Sequence, residues 1–216
     1  MYKNLNDTLT AQQIQLVAVS KTKPNEAILS LYEQGQRHFG ENRVQELLEK
    51  QEQLPKDIHW HFIGHLQTNK VKYIASFIHL IHSVDSVKIL KEIQKQAKSN
   101  DRVIDVLLQI KIAEEDTKYG FDETTILDFL TTDWSNRYPN VHIVGLMGMG
   151  TFSNDPKQTR KEFQTLKKLF DRIKKDHFAT VESFRERSMG MSGDYTIAAE
   201  EGSTMVRIGS LLFGQR

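Results

Sequence analysis

Short apolar or β-branched runs, polar turns and helically spaced apolar stripes follow one another along this chain in a repeating order. Ile14-Gln15-Leu16-Val17-Ala18-Val19-Ser20 reads as a strand, Pro24 suits a first helical turn, and Ala27, Ile28, Leu31 and Tyr32 carry helical spacing. Arg37 to Gly40 is a shorter second strand, followed by a helix through Val44, Leu47 and Leu48. Trp60 to Ile63 leads into a helix around Val71 to Ser76, and Leu80 to Ser83 into one through Val87, Ile89, Leu90 and Ile93. Val103 to Ile112 is a nearly continuous apolar run, as expected of a strand covered on both faces. The next helical stripe is Ile126, Leu127, Phe129 and Leu130; Val141 to Met147 is a sixth strand, and Phe163, Leu166, Leu169, Phe170 and Ile173 mark an amphipathic helix. The stretch from Phe178 to Arg187 is too charged for a buried strand, so a short seventh strand is expected near Ser188-Met189-Gly190. Met205 to Ile208 is the last strand, closed by Leu211-Leu212-Phe213.

Strands alternating with helices in this way argue for a parallel sheet in an α/β fold. The first strand is not followed by the Gly-x-Gly-x-x-Gly of a dinucleotide fold. The chain has 216 residues, and α/β barrels commonly use about 200 to 250 as one unit. The expectation is therefore a (β/α)8 TIM-type barrel forming a single domain over residues 1–216.

Charge and composition narrow the function classes. Lys plus Arg (29) nearly cancels Asp plus Glu (28), leaving +1, so long-range attraction to nucleic acid or an anionic membrane is not expected. The absence of cysteine removes disulfides, thiolate metal sites and thiol nucleophiles. Met1 to Asp7 holds no apolar signal region, and no uninterrupted apolar stretch is long enough to span a bilayer. A cytoplasmic protein is expected.

In such barrels the chemistry gathers where the strands end. Ser20 and Lys21 follow strand one, Gly40, Glu41 and Asn42 strand two, and His61, Gly64 and His65 stand around strand three. Ser192 and Gly193 follow strand seven; Gly202-Ser203-Thr204 precedes strand eight, which runs into Gly209 and Ser210. Lys21 is the informative residue. An amine held against a packed barrel is desolvated, which favours its neutral, nucleophilic form and Schiff-base chemistry; the alternative is a strand-end lysine reaching into solvent. Glycines and hydroxyls near strands seven and eight suit a phosphate, or else merely make tight turns. A carbonyl-reactive lysine facing a phosphate cradle matches pyridoxal 5′-phosphate, which carries an aldehyde at one end and a phosphate at the other.

Two other constellations carry less. His59, His61 and His65 resemble a metal cluster, yet the run holds no Asp or Glu and shows no third ligand of suitable geometry, so no metal is expected. Gly145-Leu146-Met147-Gly148-Met149-Gly150 lacks the Lys-Ser/Thr that completes a P-loop.

The segments Val17-Ala18-Val19-Ser20-Lys21-Thr22-Lys23-Pro24, Phe39-Gly40-Glu41-Asn42, Trp60-His61-Phe62-Ile63-Gly64, Leu66-Gln67-Thr68-Asn69-Lys70, His82-Ser83-Val84-Asp85, Gly145-Leu146-Met147, Ser188 to Asp194 and Val206-Arg207-Ile208-Gly209 occur in this order from about residue 14 to the end. As a set they resemble the pyridoxal phosphate homeostasis protein family, which is similar to the N-terminal barrel of alanine racemase without its second domain. The resemblance implies that Lys21 forms a Schiff base with the cofactor and that Arg207 faces the pyridine nitrogen. It also implies that Ser192, Ser203, Thr204 and Gly209 hold the phosphate, and that Asn42, His61 and Met147 lie near the ring. Lys23 is a second amine within reach, a candidate for an accessory role. A cation against the pyridine nitrogen keeps that nitrogen unprotonated and makes the ring a poorer electron sink. The sequence departs from the family pattern at Arg43, where an aromatic residue is common, and in the charged stretch before Ser188.

The expected function is binding of pyridoxal 5′-phosphate in vitamin B6 homeostasis, with little or no turnover. The chain stops at Arg216, and a two-base racemase needs a group opposite the lysine that the second domain would supply; its loss removes about 10²–10⁴-fold. The alternative is a racemase or lyase of unknown substrate using Lys21 and His61 as its two bases. A metal-dependent hydrolase built on the histidines ranks third. Apo forms of cofactor-dependent enzymes are the candidate partners, and a monomer is expected.

Overall fold

The computed structural model describes residues 2–113, 119–151, 153 and 155–214. Eight parallel strands close into a barrel in sequence order, β1 (Gln15–Val19), β2 (His38–Glu41), β3 (His59–Phe62), β4 (Leu80–Val84), β5 (Ile104–Ile110), β6 (Val141–Gly148), β7 (Glu186–Met191) and β8 (Met205–Ile208). The seam is made by β1 and β8, with Gln15 opposite Met205 and Ala18 opposite Ile208. The helices are α1 (Tyr2–Ala11), α2 (Asn25–Glu33), α3 (Val44–Gln53), α4 (Thr68–Ile74), α5 (Val87–Ser99), α6 (Glu123–Thr131), α7 (Trp134–Arg137), α8 (Pro156–His177), α9 (Tyr195–Glu200) and α10 (Ser210–Phe213).

Local chemistry explains where they start. Asp155 caps α8 by accepting from the Lys157 N–H at 2.9 Å, and Pro156 takes the first turn, where its missing N–H costs nothing. Asp122 and Ser86 cap α6 and α5 in the same way. The stripe Phe163, Leu166, Leu169, Phe170 and Ile173 then lays α8 onto the sheet.

The core has two unequal parts. Most buried apolar residues lie in one large cluster that includes the helix stripes and outward-facing strand residues such as Leu16, Phe39, Phe62 and Ile81. Val17, Leu80, Leu107, Val144, Met147 and Met205 form a second, much smaller cluster. Strand alternation places this set on the inner face of the barrel, with buried polar side chains from the same face: His61, His82, Gln109, Ser188 and Arg207. The lumen is packed, but much of its packing is polar.

Strand seven is longer than expected. It runs from Glu186, and the charges in its lead-in are accommodated locally. Thr204 donates to Glu186 at 2.7 Å, Arg187 donates from Nε to the Gly202 carbonyl at 2.6 Å, and the Arg187 guanidinium lies 4.7 Å from the Phe170 ring centroid. A strand at the rim tolerates charge because its ends reach solvent. Helix α1 was not expected either; Tyr2 and Leu9 bury against the barrel, and Tyr2 donates to Gln36 at 3.1 Å.

Candidate functional site

At the carboxyl end of the barrel lies a cavity of about 770 Å³. Its wall includes Lys21, Thr22 and Lys23 after β1, Asn42 after β2, and Gly64 and His65 after β3. The rest of the wall is formed by Met149 after β6, Met191 to Asp194 at the end of β7, and Arg207, Gly209 and Ser210 around the end of β8.

Lys21 sits on a tightly held turn. Thr22 has φ 63°, a left-handed conformation uncommon for a β-branched residue. Its N–H donates to Glu46 on α3 at 2.5 Å. Beneath the turn, Lys50 donates to the Ser20 carbonyl, to Glu41 and to Glu46 at 2.7, 2.7 and 2.6 Å, while the Ser20 hydroxyl donates to Glu41 at 2.6 Å. Burial pushes the Glu41 carboxyl upward in pKa, and Lys50 and the Ser20 hydroxyl oppose the shift. A buried ion pair of this kind costs desolvation and contributes orientation instead. Lys23 donates to the carbonyls of Phe213 and Gly214 at 3.0 and 3.3 Å, tying the β1 loop to α10.

On β8, next to β1, Arg207 is buried and donates to Ser188 Oγ at 2.6 Å and to the Gly148 carbonyl at 3.1 Å. Desolvation lowers its pKa to about 10, with Asp194 opposing, so it stays charged at neutral pH. Beside it, Gly209 donates its N–H to Ser192 Oγ at 3.2 Å. A Cβ on Gly209 would stand 3.2 Å from the Val19 carbonyl oxygen, so the close approach of β8 to β1 there favours glycine. Gly193 faces open space, leaving its backbone accessible.

Lys21, Lys23, Asn42, Ser192, Arg207 and Gly209 thus share one cavity, and the four other expected residues do not line it. Ser203 and Thr204 precede β8 and stand at the barrel's amino end, since a strand residue advances about 3.3 Å and Gly209 lies beyond the strand's far end. Ser203 Oγ is bonded to β7 and β8 carbonyls, and both residues line a separate cleft of about 530 Å³ beside α1 and α9. Met147 is fully buried in the inner apolar cluster; Met149, two residues on, reaches the cavity instead. His61 is fully buried within the lumen and does not line the cavity.

The histidine at the cavity is His65. Its Nδ1 lies 2.9 Å from Asp85 Oδ2, and its ring stacks on Tyr119 with centroids 4.0 Å apart. Sequence reasoning had placed His65 near strand three without a role. Ser210 was also passed over as a candidate, although its position directly after Gly209 was the available signal.

His61 belongs to a different assembly. His59 Nδ1 and His38 Nε2 are 3.3 Å apart, His38 Nδ1 and His61 Nε2 2.9 Å, and His61 Nδ1 and His82 Nε2 2.8 Å. His82 Nδ1 then lies 2.9 Å from Ser188 Oγ, the atom that accepts from Arg207. Burial is the main cause holding these imidazoles neutral: His38 falls to about 4, and His61 and His82 fall well below their ordinary value. His59, His61 and His65, which resemble a metal cluster in the sequence, are not a unit; His38 and His79 lie beside His61 instead.

A closed parallel barrel with a lysine-bearing first loop and a buried arginine beside its last strand defines the class of alanine racemase-like barrels. Residues 2–216 match the model of the alanine racemase N-terminal domain. The chain is 42% identical over 94% of its length, and 87% of the relative's, to the pyridoxal phosphate homeostasis protein of Aquifex aeolicus. Among solved structures, PipY of Synechococcus elongatus without pyridoxal phosphate superposes with TM-score 0.88 at 34% identity, covering 96% of this chain and 97% of that one. PipY with pyridoxal phosphate bound gives 0.84 at 32%, covering 99% and 100%. The chain belongs to the pyridoxal phosphate homeostasis protein family.

Proposed function

We propose that this protein is one barrel domain over residues 1–216 that binds pyridoxal 5′-phosphate at the carboxyl-end cavity and serves its homeostasis rather than turning over a substrate. The observation that carries the reading is that Lys21 and the charged, buried Arg207, from the neighbouring strands β1 and β8, line one cavity whose wall also holds Ser192, Gly193, Gly209 and Ser210. The residues fit the group. A cavity of about 770 Å³ lies within the usual range of small-ligand sites, about 300–1,000 Å³. The Gly193 backbone is unobstructed, as a phosphate cradle requires.

Lys21 would hold the cofactor through its aldehyde as a Schiff base, and the cofactor would supply an aromatic ring able to accept electrons. The protein's own residues do the rest. The strained Thr22 turn and the Glu41–Lys50 pair below it hold Lys21 in place. Arg207, anchored by Ser188 and Gly148, presents a cation where the pyridine nitrogen would lie and so disfavours a proton there. Ser192 and Ser210 give hydroxyls, and Gly193 and Gly209 give close backbone, to the phosphate. Asn42 lies against Gly64 beside the ring position, and Lys23 has an accessory role in fastening α10 over the site. Apo forms of cofactor-dependent enzymes are the partners to try first, with the protein acting as a cytoplasmic monomer. No helix among the described residues is long and apolar enough to cross a membrane.

One observation favours a second reading, a racemase or lyase. His65 lines the cavity with Asp85 orienting its ring, the arrangement of a base and its orienter. It replaces His61, which is sealed in the lumen. A racemisation assay on the loaded protein, with free amino acids, separates the two. The homeostasis reading expects no rate above that of free cofactor; robust turnover that His65→Asn abolishes would replace it with the enzyme reading.

A further inference from the structure

The histidines at the amino end of the barrel are not used by the cofactor site. His38 opens β2, His59 stands opposite it on β3, His61 is two residues further on the same face, and His79 immediately precedes β4, its N–H bonded to the Trp60 carbonyl at 2.9 Å. One nitrogen each from His38, His61 and His79 lies within 4.8 Å of the other two. The rings crowd accordingly: centroids are 5.2 Å apart for His38 and His61, 5.5 Å for His38 and His79, and 5.2 Å for His61 and His79.

We propose that His38, His61 and His79 form a binding site for a divalent transition ion of the zinc class at the amino end of the barrel. Three imidazoles with no thiolate or carboxylate among them suit zinc, copper or nickel, and a fourth position on the exposed side of His79 is left to water. Tetrahedral zinc with ligand distances near 2.0–2.1 Å sets its nitrogens about 3.4 Å apart. His38 Nδ1 and His61 Nε2, now 2.9 Å apart, would part by a few tenths of an ångström. His79 is exposed and is the ring that moves in to close the site.

The outer contacts support it. A ligating histidine usually has its second ring nitrogen held by another group. Here the second nitrogen of His38 meets His59, and that of His61 meets His82. The protons balance: with the ion on His38 Nδ1 and His61 Nε2, His38 donates from Nε2 to His59 and His61 from Nδ1 to His82. His82 then donates from Nδ1 to Ser188 Oγ, which still accepts from Arg207. Coordination requires neutral imidazoles, and burial already keeps these rings in that form.

The test is calorimetric titration of tag-free, full-length protein with Zn²⁺, paralleled by Co²⁺ and its visible absorption. The expected result is one equivalent per chain with a dissociation constant in the micromolar range or below. His79→Ala, at an exposed position, and His38→Gln should each weaken binding by more than about tenfold while leaving the circular dichroism unchanged. His177→Ala, at the end of α8, should bind as the wild type does. No saturable uptake, or uptake that His79→Ala and His38→Gln leave intact, would overturn the proposal. Neither result bears on Lys21, so the cofactor reading stands or falls separately.

Discussion

The two ends of this barrel are built from the same alternation of strand residues, yet they are prepared for opposite chemistry. At the carboxyl end the loops after the strands bring together cations, hydroxyls and accessible backbone around a cavity lined by Lys21 and Arg207. At the amino end the strands begin close together, and side chains near their first positions meet directly: His38, His59, His61 and His79 lie ring against ring. The two ends are joined by the polar line from His61 through His82 and Ser188 to Arg207.

The largest effect should come from undermining the carboxyl end. Lys50→Ala leaves Glu41 buried beneath the Lys21 turn without its cation, and the expected loss is about 3–5 kcal/mol of stability, read by chemical denaturation. An unchanged midpoint would show that the pair does not organise that end.

Acid should act on the other end. His61 and His82 titrate lower in the folded chain than in the unfolded one, so the unfolded state binds more protons below about pH 6.5. Stability is then fully present above that pH and is lost as pH falls. The slope should be about 1.4 kcal/mol per pH unit for each fully buried ring, measured from denaturation midpoints between pH 7 and pH 5. A flat profile would mean these rings are charged in the folded protein.

Two serines give a finer contrast. Ser192→Ala should weaken pyridoxal 5′-phosphate binding roughly fivefold, about 1 kcal/mol, and leave binding of pyridoxal, which lacks the phosphate, unchanged. Ser203→Ala should leave both affinities alone and lower stability by about 1–3 kcal/mol, because its buried hydroxyl joins β7 to β8. If Ser203→Ala weakened only the phosphorylated ligand, the assignment of the two ends would be reversed.

The barrel was legible because each of its strands is a local pattern bounded by turn residues; β8 was expected over the residues it occupies, Met205 to Ile208. The shared cavity of Lys21, Asn42, Ser192, Arg207 and Gly209 was legible for a related reason, since each lies within two residues of the end of a strand. Ser203 and Thr204, which the resemblance implies for the phosphate, precede β8 and line the separate cleft instead. Met147 and His61 point into the lumen, and the depth at which the lumen stops and the cavity begins depends on the stagger of the strands, which sequence does not display. The histidine cluster was illegible for another reason. His38, His61 and His79 come from three separate strand regions, and only the side-by-side pairing of β2, β3 and β4 brings them within 4.8 Å. Strand seven was under-read because Glu186 and Arg187 look unsuited to a barrel until the partners that receive them, Thr204 and Gly202, are in place.

The most direct test of the central claim is to load wild-type protein and Lys21→Ala with pyridoxal 5′-phosphate, reduce both with borohydride, and map the modified peptide by mass. The account predicts one cofactor fixed per wild-type chain, on Lys21 and not Lys23, and none fixed in Lys21→Ala. Equal fixation in the variant, or none in the wild type, would contradict it.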